Sequence, residues 1–195
     1  MRPERSGDGA SPTYIRDVHV SQVMTGDDIA RTLRRISHEI IESHDLLDTV
    51  VLVGIHTRGV LLAREISRNI GKITGIEAAV GELDVGPYRD DRDSREKTAT
   101  KPTDVPDING KQLVVIDDVL FTGRTIRAAL DALADIGRAG STSLAVLVDR
   151  GHRELPIKAD HVGKNLPTSK NETVTVRLAE IDDVDGVWVE TVVAA

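Results

Sequence analysis

Apolar residues recur at helical spacing in the first third of the chain. Within residues 27–44 they fall about 100° apart, which places them on one face of a helix. These residues are Ile29, Leu33, Ile36 and Ile40. Thr25 or Asp27 can cap this helix, and acids in its first turn suit the positive end of the helix dipole. Two further helices are predicted over residues 59–70 and 123–136.

Apolar runs that suit buried strands alternate with these helices. Residues 49–55 form a continuous β-branched run, as expected of a strand that is buried on both sides. Further strands are predicted over residues 78–85, 112–116, 143–148, 173–178 and 187–193. The repeated alternation of strand and helix predicts an α/β fold, in which a mainly parallel sheet is covered by helices on both faces.

Polar stretches divide the chain. Residues 1–13 are rich in Gly, Pro, Ser and charge, and we predict that they form a disordered leader. Between residues 89 and 101 nearly every other residue is charged, which is typical of a solvated excursion between core elements. A third polar segment covers residues 149–170. We therefore predict one domain over residues 14–195.

Composition excludes several classes of protein. The chain has 195 residues and a net charge of −7, from 25 basic and 32 acidic side chains, so any nucleic-acid contact must come from a local basic patch. It has no cysteine, which excludes disulfides and cysteine–zinc sites. Four aromatic residues are too few for a stacking platform. No apolar run is long enough for a membrane helix and no secretory signal is found, so we expect a cytoplasmic protein without a membrane partner.

The segment with the clearest chemistry spans residues 113–125. A buried strand is predicted to end at Asp117 and Asp118, and a loop with the sequence Thr-Gly-Arg-Thr then opens a helix. Ligands of open α/β sheets bind outside the carboxyl ends of the strands, and the start of a helix suits a phosphate. The acids suit sugar hydroxyls or a magnesium ion instead. A sugar phosphate that carries Mg²⁺ suits both the acid pair and the start of the helix.

Other strand–loop–helix motifs fit this segment less well. A nucleotide-hydrolysing P-loop ends in Gly-Lys-Ser/Thr, which is missing here. No dinucleotide-binding fingerprint is present at this turn. An ordinary connection with a surface acid pair stays as the structural alternative.

The same thirteen residues resemble the phosphoribosyl-diphosphate signature of type I phosphoribosyltransferases. A second loop, residues 53–60, also leaves a buried strand and enters a helix, where members of that family bind diphosphate. The resemblance implies a type I fold with a small hood and a flexible hood loop over about residues 86–108, from which Arg89 reaches the diphosphate. The implied phosphoribosyl-diphosphate and nucleotide contacts are Thr57, Arg58, Gly59, Arg89, Asp117, Asp118, Val119, Leu120, Phe121, Thr122, Gly123, Arg124 and Thr125.

More of the chain, from about residue 27 to the C-terminus, resembles the PyrR family of pyrimidine-operon regulators. Residues 149–165 and 167–170 carry most of this likeness, supported by residues 34–39 and 54–59. The resemblance implies that uracil and phosphoribosyl diphosphate (PRPP) give UMP and diphosphate with Mg²⁺. The implied catalytic residues are Asp117, Asp118 and Arg58, and the two acids also hold Mg²⁺ through the substrate or a water.

The resemblance also implies which residues bind the uracil base. Backbone groups near Val162 are expected to read the edges of uracil, and the residue before it is expected to stack on the ring. Relatives usually carry an aromatic residue there, whereas this chain has His161.

A basic stripe on the first helix suits RNA. Its members are spaced i, i+3, i+4 and i+7, opposite the apolar stripe. The expected RNA contacts are Arg31, Arg34, Arg35 and His38 on this stripe, and His152, Arg153, Lys158 and Lys164 in a second cluster. A solvated outer face is the alternative for the stripe. Lys158 and Arg34 depart from residues common in relatives, which bears on affinity and on specificity for RNA.

Three functions share this fold and pocket. The first is a regulator that binds leader mRNA of the pyrimidine genes in response to UMP or UTP and is also a uracil phosphoribosyltransferase. The second is a phosphoribosyltransferase without an RNA role, and the third is a non-enzymatic uridine-nucleotide sensor. The acid pair, the residue 57–59 loop and the hood favour catalysis, and two basic clusters favour the first function. A homodimer or a larger homo-oligomer is expected from the resemblance.

Overall fold

The computed structural model describes residues 18–90 and 101–192. The predicted leader, residues 1–13, and the middle of the predicted hood loop, residues 91–100, lie outside the described residues.

Eight strands and four helices make up the described part of the chain. The strands are β1 (Val18–Thr25), β2 (Val50–Ile55), β3 (Ala79–Leu83), β4 (Gln112–Leu120), β5 (Ser141–Asp149), β6 (His161–Asn165), β7 (Glu172–Arg177) and β8 (Gly186–Val192). The helices are α1 (Gly26–Ser43), α2 (Arg58–Thr74), α3 (Arg124–Ile136) and α4 (Ala179–Asp182). Within these described ranges, no helix has the length and apolar character needed to cross a membrane.

The central sheet is parallel throughout, with strand order β3-β2-β4-β5-β6. Side chains alternate between its two faces, which gives two apolar clusters. Leu52 and Val114 pack with α1 and α2 on one face, whereas Val53 and Val115 pack with α3 on the other. The predicted α/β fold is confirmed.

A second, antiparallel sheet forms the hood, with strand order β1-β8-β7. Met24, Val176 and Val187 join the apolar cluster of α1 and α2, so the hood covers that face of the central sheet. The short α4 helix lies between β7 and β8 and brings Asp182 toward the start of α2.

The first helix follows its predicted pattern closely. Thr25 caps α1 and forms a reciprocal capping box with Asp28. The predicted apolar stripe of Ile29, Leu33, Ile36 and Ile40 is buried. The opposite face of α1 is therefore the exposed one, and it carries the basic stripe.

Three strand predictions needed correction. Strand β4 does not end before the acid pair but continues to Leu120, because it pairs with β5 along its whole length. Strand β6 lies in the segment that was predicted to be polar and irregular. Its five residues include a glycine and few residues of high strand propensity, which hides it in the sequence. Strand β1 was not predicted. It pairs with β8 at the other end of the chain, and the residues around β1 do not indicate that partner.

Close packing of α2 onto the sheet requires two glycines. A Cβ atom on Gly54 would collide with the backbone of Val60, and a Cβ atom on Gly59 would collide with the carbonyl oxygen of Ile116. These contacts bring the start of α2 against β4 directly before the acid pair.

The substitution Gly54→Ala tests this packing. We expect a loss of about 2–3 kcal/mol in the free energy of unfolding, because the collision involves backbone atoms that have no room to move. Urea denaturation measures the loss. The matched control is Gly75→Ala, where the added Cβ meets nothing within 4 Å and only the left-handed backbone, with φ of 79°, costs about 1 kcal/mol. Equal losses in the two variants would contradict the packing argument.

Candidate active site

The two acids of β4, Asp117 and Asp118, face two different loops. Asp117 lines a cavity with the residues that open α3, whereas Asp118 lies on the side of Arg58 at the start of α2. Successive residues of a strand point to opposite faces, which explains this division. Each carboxylate also accepts a backbone N–H bond, Asp117 from Asp118 at 3.0 Å and Asp118 from Val119 at 2.9 Å.

Burial raises the pKa of both Asp117 and Asp118. Asp117 is only 7% exposed, and burial raises its pKa well above the ordinary value, with a further rise from the Asp118 carboxylate. Burial also raises the pKa of Asp118, and Arg58 opposes that rise. A buried carboxylate beside a half-buried one is therefore costly for the fold, and the pair is suited to a ligand that brings positive charge or hydroxyl donors.

The predicted phosphoribosyl loop encloses one cavity. Its volume is about 330 Å³. It is lined by Arg89, Asp117, Val119, Leu120, Phe121, Thr122, Gly123, Arg124, Thr125, Ile126 and Glu154. Gly123 has a left-handed backbone with φ of 93° and starts α3 without a side-chain cap. The first N–H groups of α3 thus face a polar cavity, which is the arrangement that binds phosphate.

Cations from two segments, Arg89 and Arg124, border this cavity. Arg89 donates to the hydroxyl of Thr125 at 3.2 Å, so the base of the predicted hood loop reaches the phosphoribosyl loop. Arg124 bonds Glu154 at 2.8 Å and Asp90 at 3.3 Å. Glu154 and Asp90 are residues that the sequence analysis did not connect with the site, because they act through Arg124.

The residue 57–59 loop lies beside the acid pair. A Cβ atom on Gly59 would lie 3.4 Å from the Cα atom of Asp117, so the two loops are in contact. Arg58 forms a two-pronged ion pair with Asp182 of the hood, with distances of 2.8 and 3.2 Å, and the pair lowers the pKa of Asp182. Lys101 donates to the hydroxyl of Thr57. Nothing in the sequence pattern pointed to Asp182 or Lys101.

The segment after β5, residues 150–155, holds the start of the predicted phosphoribosyl loop at residues 121 and 122. Glu154 and Leu155 donate backbone bonds to the carbonyl oxygen of Thr122. Arg153 donates to the carbonyl oxygen of Phe121 at 2.8 Å and pairs with Asp149, with only 22% of its side chain exposed. Arg150 stacks on the Phe121 ring with its guanidinium carbon 4.1 Å from the ring centroid. Arg153, predicted to contact RNA, is thus also a structural brace.

The two residues predicted to bind uracil begin strand β6. His161 is buried, with 9% of its side chain exposed, and its Nδ1 atom lies 3.4 Å from the carboxylate of Glu39 on α1. Val162 lies level with Val146 of β5, which in turn lies level with Asp117. The position predicted to read the base is therefore two strands away from the acid pair, at the same height in the sheet.

The structure divides the predicted RNA contacts. Arg31, Arg35 and Lys164 line one groove of about 340 Å³ between α1 and β6, here named the α1–β6 groove, together with Val23, Met24, Asp28, Thr32 and Gly163. Arg34 and His38 are exposed on the same helix. His152 bonds the carbonyl oxygen of Thr168 and lies edge-on to the Phe121 ring. Lys158 is exposed in the segment between β5 and β6. Lys164 therefore belongs with the helix stripe rather than with its neighbours in sequence.

The carboxylates of the site do not form a complete metal cage. Across residues 18–90 and 101–192, no group of three or more His, Cys, Asp or Glu side chains is arranged to hold a metal ion. Two carboxylates remain, which suits an ion whose other ligands come from substrate and water.

Comparison with known proteins agrees with this geometry. The family model "Phosphoribosyl transferase domain" matches residues 19–181. The bifunctional protein PyrR of Streptomyces coelicolor is 58% identical over 167 residues, which cover 85% of this chain and 86% of that protein. The bifunctional protein PyrR of Elusimicrobium minutum is 53% identical over 167 residues, covering 85% and 93%. The chain belongs to the PyrR family. The sequence resemblance is confirmed.

Solved structures share the fold at low identity to this PyrR-family chain. A hypoxanthine-guanine phosphoribosyltransferase from Bacillus anthracis superposes with a TM-score of 0.67 at 16% identity, over 90% of this chain and 99% of that one. A hypoxanthine phosphoribosyltransferase from Staphylococcus aureus gives a TM-score of 0.66 at 19% identity, over 89% and 92%. These likenesses establish the type I phosphoribosyltransferase fold.

The substitution Asp117→Asn tests the cost of burying the acid pair. The folded-state pKa of Asp117 is raised, so its penalty is absent below the unfolded-state pKa and fully present above the folded-state pKa. We expect Asp117→Asn to gain at least about 1 kcal/mol in the free energy of unfolding at about pH 8 and little at about pH 4. Urea denaturation at both pH values measures this. A variant less stable than the parent at the higher pH would contradict it.

Proposed function

We propose that this protein is a uracil phosphoribosyltransferase that also regulates the pyrimidine biosynthesis genes by binding their leader mRNA in response to uridine nucleotides. The observation that carries the enzymatic half is the buried acid pair of β4, held between two helix starts. Membership in a family of bifunctional proteins supports the combination of both roles.

The substrate follows from the polarity of the site. The first N–H groups of α3 and the hydroxyls of Thr122 and Thr125 hold the 5′-phosphate of PRPP in the 330 Å³ cavity. Asp117 and Asp118 bind the ribose hydroxyls. The residue 57–59 loop takes the diphosphate, with Arg58 and Arg89 supplying charge.

Uracil lies against the start of β6. Backbone groups near Val162 read its edges, at the same height in the sheet as Asp117. His161 supports the ring, with its own orientation held by Glu39.

Catalysis rests on positioning and charge. No side chain in the cavity is arranged as an obvious general acid or base, so the enzyme orients the uracil nitrogen toward the ribose carbon that loses diphosphate. The buried carboxylates stabilise the positive charge that develops on the ribose ring, and the cationic border stabilises the departing diphosphate. The hood and the predicted hood loop exclude water, which would otherwise attack the same carbon.

The acid pair fits a magnesium ion carried by the substrate. Asp117 and Asp118 offer hard oxygen ligands, and the ion would complete its shell with ribose and diphosphate oxygens and water. When bound, Mg²⁺ neutralises charge on the diphosphate.

The enzymatic half is tested with Asp118→Asn. We expect the rate of UMP formation from uracil and PRPP to fall about 100-fold, because a neutral amide no longer stabilises positive charge on the ribose. Asp45→Asn, at an exposed position, serves as the control for the loss of a carboxylate. Unchanged turnover in Asp118→Asn would show that the acid pair has another role. Nucleotide binding by a parent protein without turnover would favour the sensor instead.

The regulatory half uses the basic stripe of α1. Arg31, Arg34, Arg35 and His38 follow one exposed face, and Lys164 extends it across the α1–β6 groove. A folded RNA loop can be recognised by such a face through phosphate contacts and hydrogen bonds, with few aromatic residues. Control of transcription or of translation is compatible with this surface.

The regulatory half is best tested at Arg34. Arg35, which also lies on the stripe, bonds the backbone of β6, so its charge reversal would disturb the base site as well. Arg34 is exposed, and no side chain among the described residues pairs with it. We expect Arg34→Gln to weaken binding of the pyrimidine leader RNA several-fold and to lower the slope of log affinity against log salt by about 1. Arg138→Gln, an exposed change at the far end of α3, is the control. Equal RNA affinity of Arg34→Gln and parent would make the stripe a solvated face.

The assembly and the compartment complete the proposal. The protein acts in the cytoplasm, where PRPP and nascent mRNA are present, and it forms a homodimer or larger homo-oligomer. Pairing of two copies would join their basic faces and enlarge the RNA surface.

A further inference from the structure

Helix α1 holds three consecutive residues of β6. Arg35 donates through Nη2 to the carbonyl oxygens of Val162 at 2.9 Å and Gly163 at 2.7 Å. The Glu39 carboxylate lies 3.4 Å from Nδ1 of His161 and also pairs with Arg35. One cation and one anion on adjacent turns of α1 therefore fix the strand that is proposed to read uracil.

The position of β6 explains why it needs this support. It is the edge strand of the central sheet, so its outer backbone groups have no strand partner. Gly163 lets α1 approach closely, because a Cβ atom there would lie 2.7 Å from the Thr32 methyl carbon and would collide with the carbonyl oxygen of Leu147. The guanidinium of Arg35 thus takes the place of a neighbouring strand for two carbonyl groups.

The same guanidinium is open to the outside. About 47% of the Arg35 side chain is exposed, and it lines the α1–β6 groove with Arg31 and Lys164. A guanidinium has five N–H donors in a rigid fork. The bonds to Glu39, Val162 and Gly163 use Nη1 and Nη2, and the fork can offer further donors to a phosphate in the groove.

We propose that Arg35 is a positioning residue that couples the RNA-binding face of α1 to the base site through its bonds to Val162 and Gly163. This inference rests on the proposed function. A phosphate on the outer side of the guanidinium fixes its plane and so strengthens its hold on the two carbonyls. Base binding to an ordered β6 in turn presents the guanidinium to RNA. Each ligand must then favour the other by the same factor.

The first experiment measures steady-state kinetics for uracil. Arg35→Lys keeps the charge but offers a point donor in place of the fork, so it loses the paired carbonyl bonds. We expect KM for uracil to rise about fivefold to tenfold, with kcat within about twofold of the parent. Arg68→Lys is the matched control, since Arg68 is 52% exposed and its one ion pair among the described residues is with Glu65 on its own helix. An unchanged KM in Arg35→Lys would overturn the positioning role.

The second experiment measures coupling as the ratio of RNA affinities with and without UMP. We expect about tenfold in the parent and less than about twofold in Arg35→Lys. Arg31→Lys makes the same chemical change in the same groove, but within the part of the chain that the structure describes Arg31 pairs with Asp28 alone. It should weaken RNA binding with and without UMP alike and keep the parental ratio. A parental ratio in Arg35→Lys, or a collapsed ratio in Arg31→Lys, would overturn the coupling.

The two experiments separate this inference from the proposed function. If the parent protein binds no RNA, the regulatory half of the function and the coupling both fail, while the kinetics still decide the positioning role. If the parent binds RNA and turns over uracil but Arg35→Lys matches it in both assays, only the inference about Arg35 fails.

Discussion

The chemistry of the site depends on two adjacent carboxylates in the central strand of a parallel sheet, with Asp117 buried and Asp118 half-buried. Strand alternation directs Asp117 toward the start of α3 and Asp118 toward the start of α2. Both helix starts carry unsatisfied N–H groups and positive potential. The acids are thus destabilising for the empty protein, and the same arrangement becomes favourable when a ligand supplies phosphate to the helices and hydroxyls to the acids.

Most cations around the site are already paired with acids of the protein. Arg58 pairs with Asp182 of the hood, and Arg124 pairs with Glu154 and Asp90. A phosphorylated substrate must share or replace these acids, since the same guanidinium donors would serve both. PRPP bound as proposed would therefore act on the hood through Arg58, and on Asp90 in the predicted hood loop through Arg124.

The sequence revealed the parts of the site that are local in the chain. The acid pair, the Thr-Gly-Arg-Thr loop and the residue 57–59 loop each combine a strand end with a helix start, and this local pattern predicted both the fold and the phosphoribosyl cavity. Asp182 and Glu154 had no such signal, because each acts through an arginine that is distant in sequence. Glu39 lies four residues from Arg35, but its contact with His161 joins positions that are far apart in the chain. Strand β6 was hidden for a related reason, since an edge strand supported by a helix needs little strand propensity of its own.

The position of Lys164 shows what the fold adds to a charge pattern. In sequence it belongs with His152, Arg153 and Lys158, yet β6 carries it to the basic face of α1. Arg153 meanwhile turns inward and braces the loop that carries Phe121. The basic face therefore borders the base-reading strand directly, and Arg35 belongs to both. In the coupling proposed for Arg35, a nucleotide signal reaches RNA across a single side chain and needs no long path of coupled residues.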